Sequence, residues 1–241
     1  MSKTMLRGLL ALMLGWLGLI APATAAEALL LAAGAGYKKP FEELCAQFSD
    51  ETGIEVRRQY GNIQQILTQV ERDGRVDVLI GEGHFLDRSG LRFTQRVPLG
   101  EGRLVLAYAR GVRLERPEDV AGLARVAMPD PRQGIFGRAA HEYIEHAGLR
   151  FGRTPMVVST LPQVAAYLAS GEIDAGFINL TEALALGERI GGWIELPRTH
   201  YTPVRIEVAL PAGQAPHPLS ETFVRFLGTD AARAILSRHG L

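Results

Sequence analysis

The chain has 241 residues, 47% of them hydrophobic and 22% charged, and its 26 basic residues balance 26 acidic ones. That composition fits a folded protein with one large core or two modest ones, and the charge balance excludes the basic footprint of a nucleic-acid binder. A single cysteine, Cys45, excludes an internal disulfide, so stability must come from core burial.

The first 25 residues read as a signal peptide rather than as part of the fold. Lys3 and Arg7 form a positive start, Gly8 to Ile20 is apolar, and Ala23-Thr24-Ala25 supplies the small-x-small cleavage pattern. The apolar run is shorter than the roughly 20 residues a membrane span needs. Export with cleavage is the expectation, which places the mature, slightly acidic chain in the periplasm without membrane insertion; an uncleaved anchor is the alternative.

Leu29 to Phe48 then reads as a buried strand, a turn with Gly34 and Gly36, and a helix with Pro40 in its first turn. Phe41, Leu44, Cys45 and Phe48 recur at helical spacing, which makes Cys45 a buried thiol acting as a small hydrophobe. Ile54 to Tyr60 is a second strand, closed by Gly61-Asn62. A second helix carries Ile63, Ile66, Leu67 and Val70 on one face, and Val76 to Ile80 is a third strand. Three strand–turn–helix units in succession predict a parallel sheet with helices on its faces. Ligands of such sheets bind beyond the carboxyl ends of the strands, where each of these turns carries glycine.

Leu104 to Ala109 begins a second series. A strand at Arg125 to Met128 leads through Pro129–Gly134 to a helix with Ala140, Tyr143, Ile144 and Ala147 on one face. A strand at Pro155 to Ser159 is followed by a helix that Thr160 can cap, striped by Leu161, Val164, Ala165 and Leu168. Ala175 to Ile178 is a strand running into Asn179. Val204 to Leu210 leads back to the first unit, and two helices follow after Ser220 and Asp230. The predicted architecture is α/β with two lobes, each a mostly parallel sheet flanked by helices. Residues 26–102 with 207–241 form the first lobe and 103–206 the second, joined by hinge strands that permit closure around a ligand.

Gly34-x-Gly36 lacks the third glycine of a dinucleotide fingerprint and the Gly-Lys-Ser/Thr ending of a P-loop. Placed at a helix start, the turn offers bare backbone N–H groups and the positive end of the helix dipole to an anion. The six histidines show no metal-ligand spacing, and no Gly-x-Ser-x-Gly elbow or paired carboxylate marks a catalytic centre. The expectation is therefore a binding protein without cofactor or catalytic metal rather than an enzyme. Arg132, Lys38 and Lys39 are the cations placed to meet an anionic ligand.

The segments LLLAAGAGYKKPFEELCAQFSDETGIEV, VDVLIGEG, AMPDPRQGIFGRAAHEYIEHAGL, YLASGEIDAGFIN and FVRFLGTDAARAILSRHGL, in that order and spacing, resemble the periplasmic molybdate-binding proteins of ABC transporters, class II solute-binding proteins. The resemblance implies an oxyanion held between lobes by neutral donors. Carried onto this sequence, the family's serines fall on Gly36 and near Asn62 or Ile63, further contacts on Gln133 and Leu161, and the family's tyrosine on Asn179. With their neighbours, the implied ligand residues are Gly34, Ala35, Gly36, Tyr37, Gly61, Asn62, Ile63, Arg132, Gln133, Gly134, Leu161 and Asn179. The implied function is capture of molybdate or tungstate and delivery to an ABC permease by a monomer. Another oxyanion or a small carboxylate, for which Arg132 would matter more, and an adhesin or sensor domain without a transporter are the alternatives.

Overall fold

A computed structural model of the protein describes residues 28–73, 75–213 and 217–241, so the signal-peptide reading of residues 1–25 lies outside the described residues. The first strand, β1 (Leu29–Gly34), is almost wholly buried. It ends in a 3-10 turn, Ala35–Tyr37, that runs straight into α1 (Lys38–Thr52). The predicted stripe of α1 is completely buried, Cys45 included. Phe48 meets Phe223 edge-on at 5.0 Å and Phe226 at 5.4 Å, tying α1 to the C-terminal helices. Burying such a ring stabilises the fold by roughly 2–3 kcal/mol. Gly53 ends the helix with φ 72°, the left-handed conformation that glycine adopts without strain.

The same sequence logic gives β2 (Val56–Gly61), α2 (Ile63–Asp73), β3 (Val78–Glu82) and the short α3 (Gly83–Arg88). Two long segments close this sheet, β4 (Phe93–Gly102) and, far along the chain, β10 (Val204–Pro211). The order is β2-β1-β3-β10-β4, with β10 antiparallel to both neighbours and β1 parallel to β2 and β3.

The second sheet is built from β5 (Leu104–Tyr108), β6 (Val126–Pro129), β7 (Met156–Val158), β8 (Ala175–Asn179) and β9 (Gly192–Glu195), in the order β7-β6-β8-β5-β9. Its helices are α4 (Ile135–His146), α5 (Leu161–Ser170) and α6 (Leu180–Leu186). The chain returns through β10 to finish in α7 (Ser220–Leu227) and α8 (Asp230–Arg238) on the first lobe. The two-lobe α/β architecture expected from the sequence is the observed one.

Strands β4 and β9 and helix α3 are additions to the sequence reading. Only Arg103 separates β4 from β5, so the chain passes between the sheets in a single step. The return passage ends at Pro203, immediately before β10. Beside the first passage, the Leu104 amide donates to the Tyr201 hydroxyl at 3.1 Å, fastening the two passages together.

Candidate functional site

Between the lobes lies a cavity of about 40 Å³, reached from the carboxyl ends of β1, β2, β6 and β7. Gly34, Ala35, Gly36 and Tyr37 line it from the turn before α1, and Gly61, Asn62 and Ile63 from the start of α2. The second lobe contributes Pro129, Gln133, Gly134, Ile135 and Phe136 around the start of α4, and Ser159, Thr160 and Leu161 at the start of α5. Helix starts leave their first N–H groups without intrahelical acceptors and carry partial positive charge. Several of them face one small volume here. None of the lining residues is charged.

Local hydrogen bonding decides which amides are free. In the loop before α4, Gln133 N and Gly134 N donate to Asp130 O at 3.3 and 2.8 Å, and Arg132 N to Asp130 Oδ1 at 2.8 Å. Those donors are occupied by the loop itself. The orphan amides of this helix start therefore belong to Ile135 and Phe136, its first two residues. Gly137 permits the arrangement, because a Cβ there would collide with the Asp130 carbonyl. At α2 the Asn62 side chain accepts from Gln64 N at 2.9 Å, which leaves the amide of Ile63 for the cavity. At α5, Pro162 has no N–H, so Leu161 supplies the first amide.

Of the residues expected from the sequence, Gly34, Ala35, Gly36, Tyr37, Gly61, Asn62, Ile63, Gln133, Gly134 and Leu161 meet at this cavity. Arg132 and Asn179 do not line it. Arg132 keeps 88% of its side chain exposed and turns towards Asp130, 3.9 Å away. Asn179 is fully buried and donates instead to the Gly36 carbonyl at 3.0 Å. The sequence reading missed Pro129, Ile135, Phe136, Ser159 and Thr160. Ile135 and Phe136 directly follow Gly134, and helix-start logic alone would have found them. Thr160 makes no side-chain cap bond to α5, contrary to expectation, and lines the cavity instead.

The lobes are closed on one another in this structure. Asn62 Nδ2 donates to the Ser159 carbonyl at 3.1 Å, and Lys39 Nζ pairs with Glu182 at 2.7 Å. Behind the cavity, Arg138 of α4 reaches Glu82 at the end of β3, 3.1 Å away, with both side chains almost wholly buried. Arg138 also holds Glu142 at 2.9 Å, and Glu142 in turn accepts from Thr202 N at 2.6 Å. Burial pushes the Glu82 carboxyl above the usual carboxylate range, and the Arg138 charge opposes that shift. Next to this pair, Tyr37 packs 6.1 Å from Phe136, and burial holds its phenol well above its ordinary value. Gly102 makes room for both rings, since a Cβ there would strike the Tyr37 hydroxyl and Phe136.

Fold and cleft together define an extracellular solute-binding protein. The chain belongs to the bacterial extracellular solute-binding protein family, whose sequence model matches residues 29–241. Among its relatives, the molybdate-binding protein ModA of Rhodobacter capsulatus is 26% identical over 233 residues, covering 93% of this chain and 91% of that protein. The solved periplasmic molybdate-binding protein of Azotobacter vinelandii superposes with a TM-score of 0.78 at 22% identity, covering 88% of this chain and 97% of that one. Peb3 of Campylobacter jejuni shares the fold with a TM-score of 0.70 at 15% identity, covering 88% and 98%.

Proposed function

We propose that this protein captures a small tetrahedral oxyanion, molybdate or tungstate, between its lobes in the periplasm and delivers it to the permease of an ABC importer. The observation that carries the reading is the cavity of about 40 Å³, faced by the turn before α1 and the starts of α2, α4 and α5 and lined by no charged side chain. Such a volume suits a compact ion of a few heavy atoms, since one water needs roughly 10–15 Å³ on this measure. Converging N–H groups match an oxyanion's several acceptor oxygens. No lining carboxylate would repel a dianion or accept a proton from its protonated form.

The names of the Rhodobacter and Azotobacter relatives support the choice of ion. The reaction is binding and release without chemistry on the ligand, performed by a monomer. Residues 26–102 with 207–241 move against 103–206, and residues 1–25 direct export. Among the described residues no helix is long and apolar enough to cross a membrane.

Calorimetric titration with molybdate, tungstate, sulfate, phosphate and citrate tests the reading. Saturable heat with molybdate and tungstate at one site per chain is expected. Silence with both, or tighter binding of citrate, overturns the ligand assignment.

A further inference from the structure

Asn179 sits at the end of β8 and the start of α6, outside the cavity, yet it bonds to the first lobe's ligand turn. Its Nδ2 donates across the cleft to Gly36 O at 3.0 Å. Its Oδ1 accepts from Glu182 N at 2.9 Å, capping α6 within its own lobe. The side chain is completely buried, so water cannot substitute for either partner without rearrangement.

The Gly36 carbonyl and the Tyr37 amide belong to one planar trans peptide and point to opposite sides of it. The Tyr37 N–H closes the 3-10 turn on Gly34, which leaves the Ala35 and Gly36 amides free at the cavity. The Gly36 carbonyl, whose i+4 partner Pro40 has no N–H, is held by Asn179 and fixes that turn. The neighbouring turn is held to the same helix by the Lys39–Glu182 pair at 2.7 Å. Leu161, at the start of α5, adds an apolar wall, about a van der Waals contact away from any Cβ built on Gly36.

Resting on the oxyanion reading above, we infer that Asn179 is a positioning residue: only when the lobes are closed does it fix the Ala35–Tyr37 turn with the Ala35 and Gly36 amides towards the ligand. Closure thereby does two things at once, bringing the second lobe's donors to the ion and orienting the first lobe's. In the open form the Gly36 carbonyl loses this partner, and Pro40, four residues on, has no N–H to offer it. The bond therefore slows release from the closed complex and leaves the encounter with the open form unaffected.

Two substitutions separate this role from helix capping. Asn179→Ala removes both bonds, whereas Asn179→Ser retains a good cap for Glu182 N and is too short to reach Gly36 O. Stopped-flow measurement with molybdate is expected to show release about tenfold faster in both variants, with association within twofold of wild type. Wild-type release from the Ser variant would reduce Asn179 to a cap and overturn the inference. Small-angle scattering of the ligand-free proteins supplies a second reading. Both variants are expected to be more expanded than wild type. If wild type binds none of the oxyanions, the ligand assignment fails, and scattering alone decides: expansion in both variants upholds the tie between lobes, and identical profiles overturn it.

Discussion

The Arg138 guanidinium crosses the cleft to the Glu82 carboxylate at 3.1 Å, joining the helix that faces the ligand to the carboxyl end of the first lobe's β3. A buried pair of this kind adds little net stability, because desolvation offsets most of the attraction, but removing one partner leaves an uncompensated charge. Arg138→Met is expected to cost about 3–5 kcal/mol at pH 8, a fall in Tm of about 10 °C for a chain of this size. Glu82 already binds its proton more tightly when folded than when unfolded. Without Arg138 that tendency grows, so the variant's stability falls as pH rises through the carboxyl's raised folded value and recovers in acid. Thermal melts from pH 5 to 8 check this. A loss independent of pH, or no relief from the second substitution Glu82→Gln, would refute it.

Gly36 has room for a Cβ. A Cβ there would meet Asn179 Nδ2 at 3.5 Å and the Leu161 methyls at 3.6 and 3.7 Å, all ordinary contacts. Gly36→Ser should fold normally and place a hydroxyl at the cavity, tightening molybdate binding several-fold, the value of about 1 kcal/mol for an added hydrogen bond. Gly36→Trp should fold and abolish binding by filling the space. Calorimetry on both variants reads the outcome; unchanged affinity in the Trp variant would remove this turn from the site.

Thr160 makes no side-chain cap bond to α5 and is among the residues that line the cavity. Thr160→Val preserves shape and removes the hydroxyl. Affinity is expected to fall about five- to tenfold through loss of roughly 1 kcal/mol, while Tm stays within a degree. A drop in Tm without loss of affinity would assign Thr160 to the fold instead.

Far from the cleft, Asp174 accepts from Arg125 N at 3.0 Å and from Arg125 Nε at 3.1 Å. The Arg125 side chain holds its carboxyl below the usual range. Its contribution is present above the unfolded pKa of about 3.9 and is lost as pH falls through the lower folded value. Asp174→Asn should therefore cost about 1 kcal/mol near pH 7, and the difference from wild type should be smaller at pH 3, below the unfolded value of about 3.9. Urea unfolding at both pH values decides it.

The sequence revealed the elements whose apolar residues repeat cleanly, and it hid those whose burial depends on neighbours. Helix α1 was readable because Phe41, Leu44, Cys45 and Phe48 face one core. Strand β4 was not: Phe93-Thr94-Gln95-Arg96-Val97-Pro98 alternates weakly, carries a proline and is only partly buried along most of its length. It exists because β10 pairs with it across a register shift between Ile206 and Glu207. The site followed the same rule. The glycine turns marked its first-lobe half, but the internal bonds around Asp130 moved the free amides from Gln133 and Gly134 onto Ile135 and Phe136. Nothing in the spacing of residues 129–136 reveals that bonding pattern. Asn179 illustrates the opposite case: resemblance placed it among the ligand residues, and its side chain lies outside the cavity lining, bonded to the Gly36 carbonyl.

The single-residue passage at Arg103, fastened to the return passage through Leu104 and Tyr201, has a consequence for selectivity. On the closure proposed above, a one-residue passage bonded to its eight-residue return favours rotation of the lobes over sliding. A cleft closing like callipers measures its content: an ion slightly too large holds the jaws apart, and the error is magnified at their far rim. For the importer proposed above, the rim is then the surface whose shape depends on the size of the ion.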